Sequence, residues 1–520
     1  MKVQQETTHF LSLWSKRIMR ILLFFLCTTP YSCSDHSPKE YPYKDFSIRN
    51  ITSLQDKNLK TNPNKVKYYI DSLRLSEHDT TFVDITCNKY YAENSPYLWI
   101  TTVGANSCCD TFLNKLKDLE HIGIPPARLY RKKLQELLHR IRQMDYDKDH
   151  SASLSLASLE YYMTKSYMRY TCGQRFGFIN PSKMLNRLDH VIADSLSTPF
   201  RTLYDLHSEL PGKNFTDSVF QSIRTKNIAF FLEQVQPEND LYRYFISKYN
   251  QINPSSPQKR ILAINIERSR WRHNSPNTKY SIFINIPSQK LFACNTEGDS
   301  TCTMKICFGN KKHKTPLLSS TLSHLELNPY WIIPQSIIKH EIIPHHLNDT
   351  SYFHRNKYRI IEKATGEFVP PQEITASMLL SGKYRIRQDK GGDNSLGRMI
   401  FRFPNKFSIF LHDTNNKSAF QRSVRTVSHG CIRLEKPFEL ARFLLGYRGK
   451  EYVDRIWETI QDNEDCPSER KNHPLKTAAF EHPISLSIVY YTCYPHPVTK
   501  ELVFYPDIYG YDNILYKLLF

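Results

Sequence analysis

One hydrophobic periodicity gives way to another near residue 280, and that change constrains the fold more than any single motif. Between about 65 and 250, apolar residues recur at three-to-four spacing. Phe112, Leu116 and Leu119 share a face, as do Leu134, Leu137, Leu138 and Ile141. Gly123-Ile124-Pro125-Pro126 carries the stop and start signals that separate two helices. Leu156 to Tyr170 and Thr216 to Leu232 read as further helices. From Tyr280 the period is two: Tyr280, Ile282, Ile284 and Ile286 face one way, Pro287–Lys290 turns, and Leu291-Phe292-Ala293 returns. Met304–Phe308 is another strand, and 484–495 with 502–512 reads as a closing hairpin. The prediction is an α+β multidomain chain, an all-helical domain followed by a mostly β domain.

At 520 residues the chain is too long for one ordinary core, and two to four domains are expected. Hydrophobic content of 40% and aromatic content of 13% describe a globular chain. The formal net charge is +19, which favours polyanionic surroundings such as anionic lipid or a carboxylate-rich polymer. The basic residues are scattered without a Lys/Arg block, so nucleic acid is not an expected partner.

Residues 1–33 read as an export signal. Lys16, Arg17 and Arg20 precede the apolar run Ile21–Cys27, which is too short to span a bilayer as a conventional helix. A start at Met19 gives a more ordinary leader. Tyr31-Ser32-Cys33 resembles a bacterial lipoprotein cleavage site, although Pro30 departs from the aliphatic residue usual there. Lipidation of Cys33 would anchor the chain without a transmembrane helix; simple cleavage nearby is the alternative. Residues 34–64 are polar and proline-dotted, a linker and, with an anchored Cys33, a tether. Residues 65–257 are the expected helical domain and 258–520 the expected catalytic one.

Phe407 to Leu445 holds the arrangement that reads as covalent chemistry. The apolar run Phe407–Leu411 delivers His412. After fifteen intervening residues come Ser428-His429-Gly430-Cys431, then Ile432 and Arg433. A thiolate is a nucleophile, and an imidazole can take the thiol's proton. His412 at a strand end is one candidate base. His429, two residues from Cys431, is the rival. Gly430 permits close backbone approach, and the Gly430 and Cys431 amides are candidates to face an oxyanion. Arg433 suits a substrate carboxylate or a structural acid. By spacing alone, a metal site or a buried structural thiol stays open.

The stretch closely resembles the signature of the L,D-transpeptidase (YkuD-like) family: a His, roughly fifteen residues, Ser/Thr-His-Gly-Cys, and Asn or Arg two positions on. The resemblance implies that Cys431 is acylated, that His412 is its base, and that His429, Ser428 and Arg433 support the substrate and the loop. LNPYWIIP (327–334) resembles a cleft-lining segment, which makes Tyr330 and Trp331 candidate substrate contacts. YYAENSPYLW (90–99) and QRFGFINP (174–181) are similar to the helical scaffold of the large periplasmic members. The resemblance implies a peptidoglycan enzyme acting on stem peptides, exported to the periplasm, with no metal or organic cofactor. The small peptidoglycan-binding module common in the large members has no room here, because NQINPSSPQKR leads directly from the last scaffold helix to ILAINIERSRW.

About 335–384 is a long insertion with His340, His345, His346 and His354. Metal binding is one reading of those histidines and a solvated loop another. The family analogy gives a lid, and the apolar spacing of Ile337, Ile338, Ile342 and Ile343 suits short helices. Of twelve cysteines, Cys27 leaves with the signal, Cys33 is the lipidation candidate and Cys431 must stay reduced; the other nine cannot all pair. Cys294 and Cys302 flank a polar turn where a cross-strand disulfide is conceivable; free buried thiols are expected elsewhere.

Overall fold

The computed structural model describes residues 62–520 apart from 78–80, 102–103, 191–199, 272–277, 297–300, 462–474 and 498. The expected export signal, Cys27, Cys33, nearly all of the linker and Cys466 lie outside the described residues. Among the described residues no helix is long and apolar enough to cross a membrane.

The helical half is arranged around α1 (Ala152–Phe176), against which Pro63–Ser76, Phe82–Ala92 and Arg131–Gln143 pack. α1 is buried on nearly every side, as a core helix must be. Its Glu160 is completely buried. It accepts from the backbone N–H groups of Leu98 (2.6 Å), Trp99 (2.8 Å) and Ile100 (3.1 Å) and from Tyr91 Oη (2.7 Å). That explains why the 90–99 segment holds a fixed course. Burial lifts the Glu160 carboxyl to about 7 even so, because desolvation outweighs these bonds.

After the short strand β1 (Tyr204–Asp205) come helices Lys213–Arg224, Ile228–Gln234 and Asp240–Gln251. ILAINIERSRW then belongs to a further helix, α2 (Pro257–Arg270), with Ser256 as N-cap and Pro257 in the first turn. α2 joins the two halves. Arg268 pairs with Asp512 (2.7 Å), and Asn265 Nδ2 donates to Thr492 Oγ1 (2.8 Å), both within buried surroundings. One continuous apolar cluster runs from Val66 to Leu519 across helical and sheet regions alike.

The sheet is built from β2 (Tyr280–Asn285), β3 (Lys290–Asn295), β4 (Thr301–Gly309), β5 (Leu317–Thr321) and β6 (His324–Leu327). After the insertion it continues with β11 (Met399–Arg402), β12 (Leu411–His412), β13 (Thr426–Ser428), β14 (Ile432–Leu434), β15 (Thr477–Ala479) and β16 (Ile484–Val489). Its order is β15-β6-β11-β12-β14-β4-β3-β2-β16-β5-β1, with β13 beside β4. Tyr280, Ile282, Ile284 and Ile286 are all buried, as their alternation requires. The expected closing hairpin is smaller. β16 runs parallel to β2, and only Cys493–Pro495 pairs with Leu502–Phe504 before a final helix, Tyr511–Leu519. In the β3–β4 register Cys294 opposes Thr301 and Cys302 opposes Ala293. The two thiols are offset by one residue, so they point to opposite faces and cannot bridge. Cys108, Cys109, Cys172, Cys294, Cys302, Cys307, Cys431 and Cys493 are free thiols.

The insertion is a small α/β body. β7 (Trp331–Ile332), β8 (Tyr358–Glu362), β9 (Phe368–Val369) and β10 (Tyr384–Gln388) form a sheet ordered β9-β8-β10-β7. It has its own core of Ile333, Ile338, Ile342, Phe353, Ile360, Ile374, Leu379 and Ile386. Helical turns Gln335–Ile337, Ile338–Ile342 and Ile343–His346 follow one another, the middle one π-helical. Pro344 lacks the N–H that a regular ladder needs there, which fits the irregular turn.

Candidate active site

The site is created by one pairing. β12 and β14 are parallel neighbours with Leu411 opposite Ile432 and His412 opposite Arg433; Ile432 N donates to Phe410 O at 3.1 Å. Facing residues on adjacent strands share a side, and sides alternate along a strand. Leu411 and Ile432, both fully buried, therefore face the core. Phe410, His412, Cys431 and Arg433 fall on the other side. The run Phe407–Leu411 is not one strand: Ser408 takes φ +53°, and Asn405 Oδ1 accepts from Phe407 N (3.0 Å) and Ile409 N (3.2 Å).

His412 is 4% exposed, and its Nδ1 has no hydrogen-bond partner among the described residues. Burial and then the positive charge of Arg433 depress its pKa to about 4; Asp413 and the Leu396 backbone offset part of this. The imidazole is thus neutral at neutral pH and able to accept a proton. Cys431 keeps part of its surface open although protein encloses it on most sides. Burial raises its thiol to about 11, against the opposing pull of the Phe410 backbone, Arg433 and Arg402. The resting pair is a neutral thiol and a neutral imidazole. Arg433 lies between His412 and, on its other flank, Cys307; burial lowers its own pKa.

The loop before Cys431 is tied inwards. Ser428, expected against substrate, is 2% exposed. Its hydroxyl donates to Cys431 O (2.6 Å) and accepts from Gly430 N (3.1 Å). The Gly430 amide, expected to face an oxyanion, is therefore engaged within the loop. Gly430 itself has φ +120°, a conformation that favours glycine.

Sequence reasoning missed the supports behind this loop. Thr315 Oγ1 donates to Gly430 O (2.8 Å) and accepts from Gly309 N (2.9 Å). Tyr509 Oη donates to Gly309 O (2.7 Å) and accepts from Thr315 N (3.1 Å). Beside His412, the Asp413 carboxylate accepts from Arg398 N (2.9 Å) and pairs with Lys417. Neither Thr315 nor Tyr509 sits in a motif, and both lie far from residue 430 in the chain, so no local pattern marks them.

His429 turns away from this arrangement. It is exposed, its Nε2 lies 2.7 Å from Glu341 Oε1 of the insertion, and its ring packs on His313 with centroids 4.8 Å apart. Tyr330 is 44% exposed, with Arg387 and Lys390 over its ring at 4.2 and 4.8 Å. Trp331 packs instead with the insertion core, 6.4 Å from Tyr358. Of the insertion histidines, His346 stacks on Tyr352 at 3.7 Å. Among the described residues no group of three or more His, Cys, Asp or Glu side chains is placed to hold a metal ion.

Residues 279–460 match the family model of the L,D-transpeptidase catalytic domain (YkuD), and residues 86–246 match that of the Scaffold domain. A Haemophilus influenzae protein named "Putative L,D-transpeptidase" is 30% identical over 311 residues, 59% of this chain and 60% of its own length. The chain thus spans about three-fifths of that relative. The crystal structure of Mycobacterium tuberculosis L,D-transpeptidase 1 covers 41% of this chain and 62% of its own, at 10% identity and a TM-score of 0.17, too low to carry an argument.

Proposed function

We propose that this chain, which belongs to the L,D-transpeptidase family through its YkuD catalytic domain at residues 279–460 and carries a Scaffold domain at 86–246, forms 3→3 crosslinks between peptidoglycan stem peptides through an acyl-enzyme on Cys431. The observation that carries the reading is the β12–β14 register, which supports a thiol and a neutral imidazole on one side of the sheet.

In this reading the Cys431 proton passes to His412 as the sulfur attacks the diaminopimelate carbonyl of a donor tetrapeptide. With a thiol held near 11 and an imidazole near 4, a resting ion pair is unfavourable, so proton transfer and attack proceed together. The Cys431 amide is the candidate donor to the oxyanion, since the Gly430 amide is engaged by Ser428. The bond to D-Ala breaks, and His412 returns the proton to the leaving amine. A side-chain amine of a second stem then loses its proton to His412, attacks the thioester and releases the sulfur, which is reprotonated. No cofactor enters these steps. The helical half and α2 hold the sheet, and the insertion acts as a lid.

Mass spectrometry of muropeptides made by the purified protein from tetrapeptide substrate tests this. Crosslinked dimer supports transpeptidation. Trimmed tripeptide alone makes the enzyme an L,D-carboxypeptidase, and transfer to a protein amine makes it an anchoring enzyme. No product at all makes it a non-catalytic wall-binding scaffold. In this reading the mature protein works in the periplasm, tethered through a lipidated Cys33. Cys33→Ser should release it from membranes, and unchanged retention would remove the lipid anchor while leaving export intact.

A further inference from the structure

The turn Asn310-Lys311-Lys312-His313-Lys314-Thr315 lies against the loop that carries Cys431. Asn310 N donates to Ser428 O (3.1 Å), and Thr315 Oγ1 holds Gly430 O. This places His313 on His429 and leaves Lys311 and Lys312 exposed beside them. Arg201 joins the same rim, its Nη1 donating to Lys312 O (2.6 Å). The His313 pKa is lowered, first by burial and then by His429, Arg201 and His340, with Glu341 acting in the opposite sense. Lys314 of this turn is paired with Asp189, and the carboxylate that reaches His429 beside the nucleophile is Glu341 of the insertion.

We infer that His429, backed by His313 and the Lys311–Lys312 turn, is a carboxylate-binding subsite for the donor stem's terminal carboxylate, and that Glu341 occupies it when no substrate is bound. His429 is two residues from Cys431, a reach of at most about 7 Å along extended chain. That suits the carboxylate of a leaving residue whose amide is the bond attacked at sulfur. Glu341 and His429 are both nearly half exposed, and exposed ion pairs contribute little, so a substrate carboxylate can displace this one. The turn's hold on Gly430 couples occupancy of the subsite to the loop that presents Cys431. The choice of ligand rests on the proposed reaction; the existence of an anion subsite does not.

Two measurements on the full chain separate these claims. The first compares alkylation of Cys431 by iodoacetate and iodoacetamide, followed by peptide mapping because other thiols are free. Glu341→Gln should raise the iodoacetate-to-iodoacetamide rate ratio about threefold to fivefold, and His429→Gln should lower it below wild type. A ratio unchanged by both substitutions overturns the subsite. The second measures acylation with donor tetrapeptide as the free acid and as the C-terminal amide. Glu341→Gln should lower KM about threefold to fivefold for the acid alone, with kcat within twofold. An equal effect on both donors, or a fall in kcat at constant KM, overturns the assignment of the ligand. If wild type acylates with neither donor, the proposed reaction fails, and the alkylation ratio still decides the subsite.

Discussion

Arg433 stands opposite His412 in the parallel β12–β14 pair, so the strand neighbour of the buried imidazole is a cation. A carboxylate in that place would raise the imidazole's pKa; the guanidinium adds to burial in lowering it.

The first prediction follows from that sign. With His412 near 4 in the folded protein against an ordinary 6.5, the acid limb of kcat/KM should fall near pH 4 to 5. Arg433→Met should move the limb towards higher pH. The same depression makes the folded state bind its proton later than the unfolded one. The associated stability is present above pH 6.5 and lost as pH falls towards 4, about 3 kcal/mol in all. Urea unfolding of His412→Gln at pH 7 and 4.5 should show a smaller loss than wild type.

The two histidines should separate cleanly. His412→Ala should lower the acylation rate by ~10²-fold or more, the range of general base catalysis. His429→Ala should cost less than tenfold at saturating donor, because its ring faces Glu341 and His313 rather than the sheet. Stopped-flow acylation of both variants checks this, and reversed magnitudes would exchange the roles.

Gly397 is the backbone position on which the His412 surroundings depend. It has φ +63°, and a Cβ there would come 2.4 Å from the Asp413 carboxyl. Gly397→Ala should destabilise the protein by about 2 kcal/mol or more, combining a left-handed penalty with a clash. A thermal midpoint equal to wild type would contradict the stated geometry.

The insertion has a core of its own, so its removal should leave the main sheet folded. Replacing residues 333–386 by a short linker should raise the hydrolysed fraction of product relative to crosslinked dimer, since water then reaches the thioester. An unchanged ratio with retained folding would make the insertion something other than a lid.

Much of this was legible in the sequence because the signals are local. Period two placed Tyr280, Ile282, Ile284 and Ile286 in the core, and the helical spacing of Leu134, Leu138 and Ile141 was equally direct. α2 was hidden because a helix buried on most sides loses its amphipathic stripe. In the insertion, the spacing of Ile338 and Ile342 suggested helices. The strands were overlooked although Tyr358–Glu362 and Tyr384–Gln388 pair Ile360 with Ile386 across the ladder. Contacts such as Glu341 to His429 and Tyr509 to Gly309 depend on chain closure over long separations, which no periodicity encodes.

The central claim is that Cys431 is the acylated nucleophile. Intact-mass spectrometry of the protein mixed with donor tetrapeptide, followed by peptide mapping, tests it directly. The account predicts a single adduct of the donor minus D-Ala on the peptide containing Cys431, absent from Cys431→Ala with its fold retained by circular dichroism. An adduct on another residue, or D-Ala release by Cys431→Ala at the wild-type rate, would contradict it.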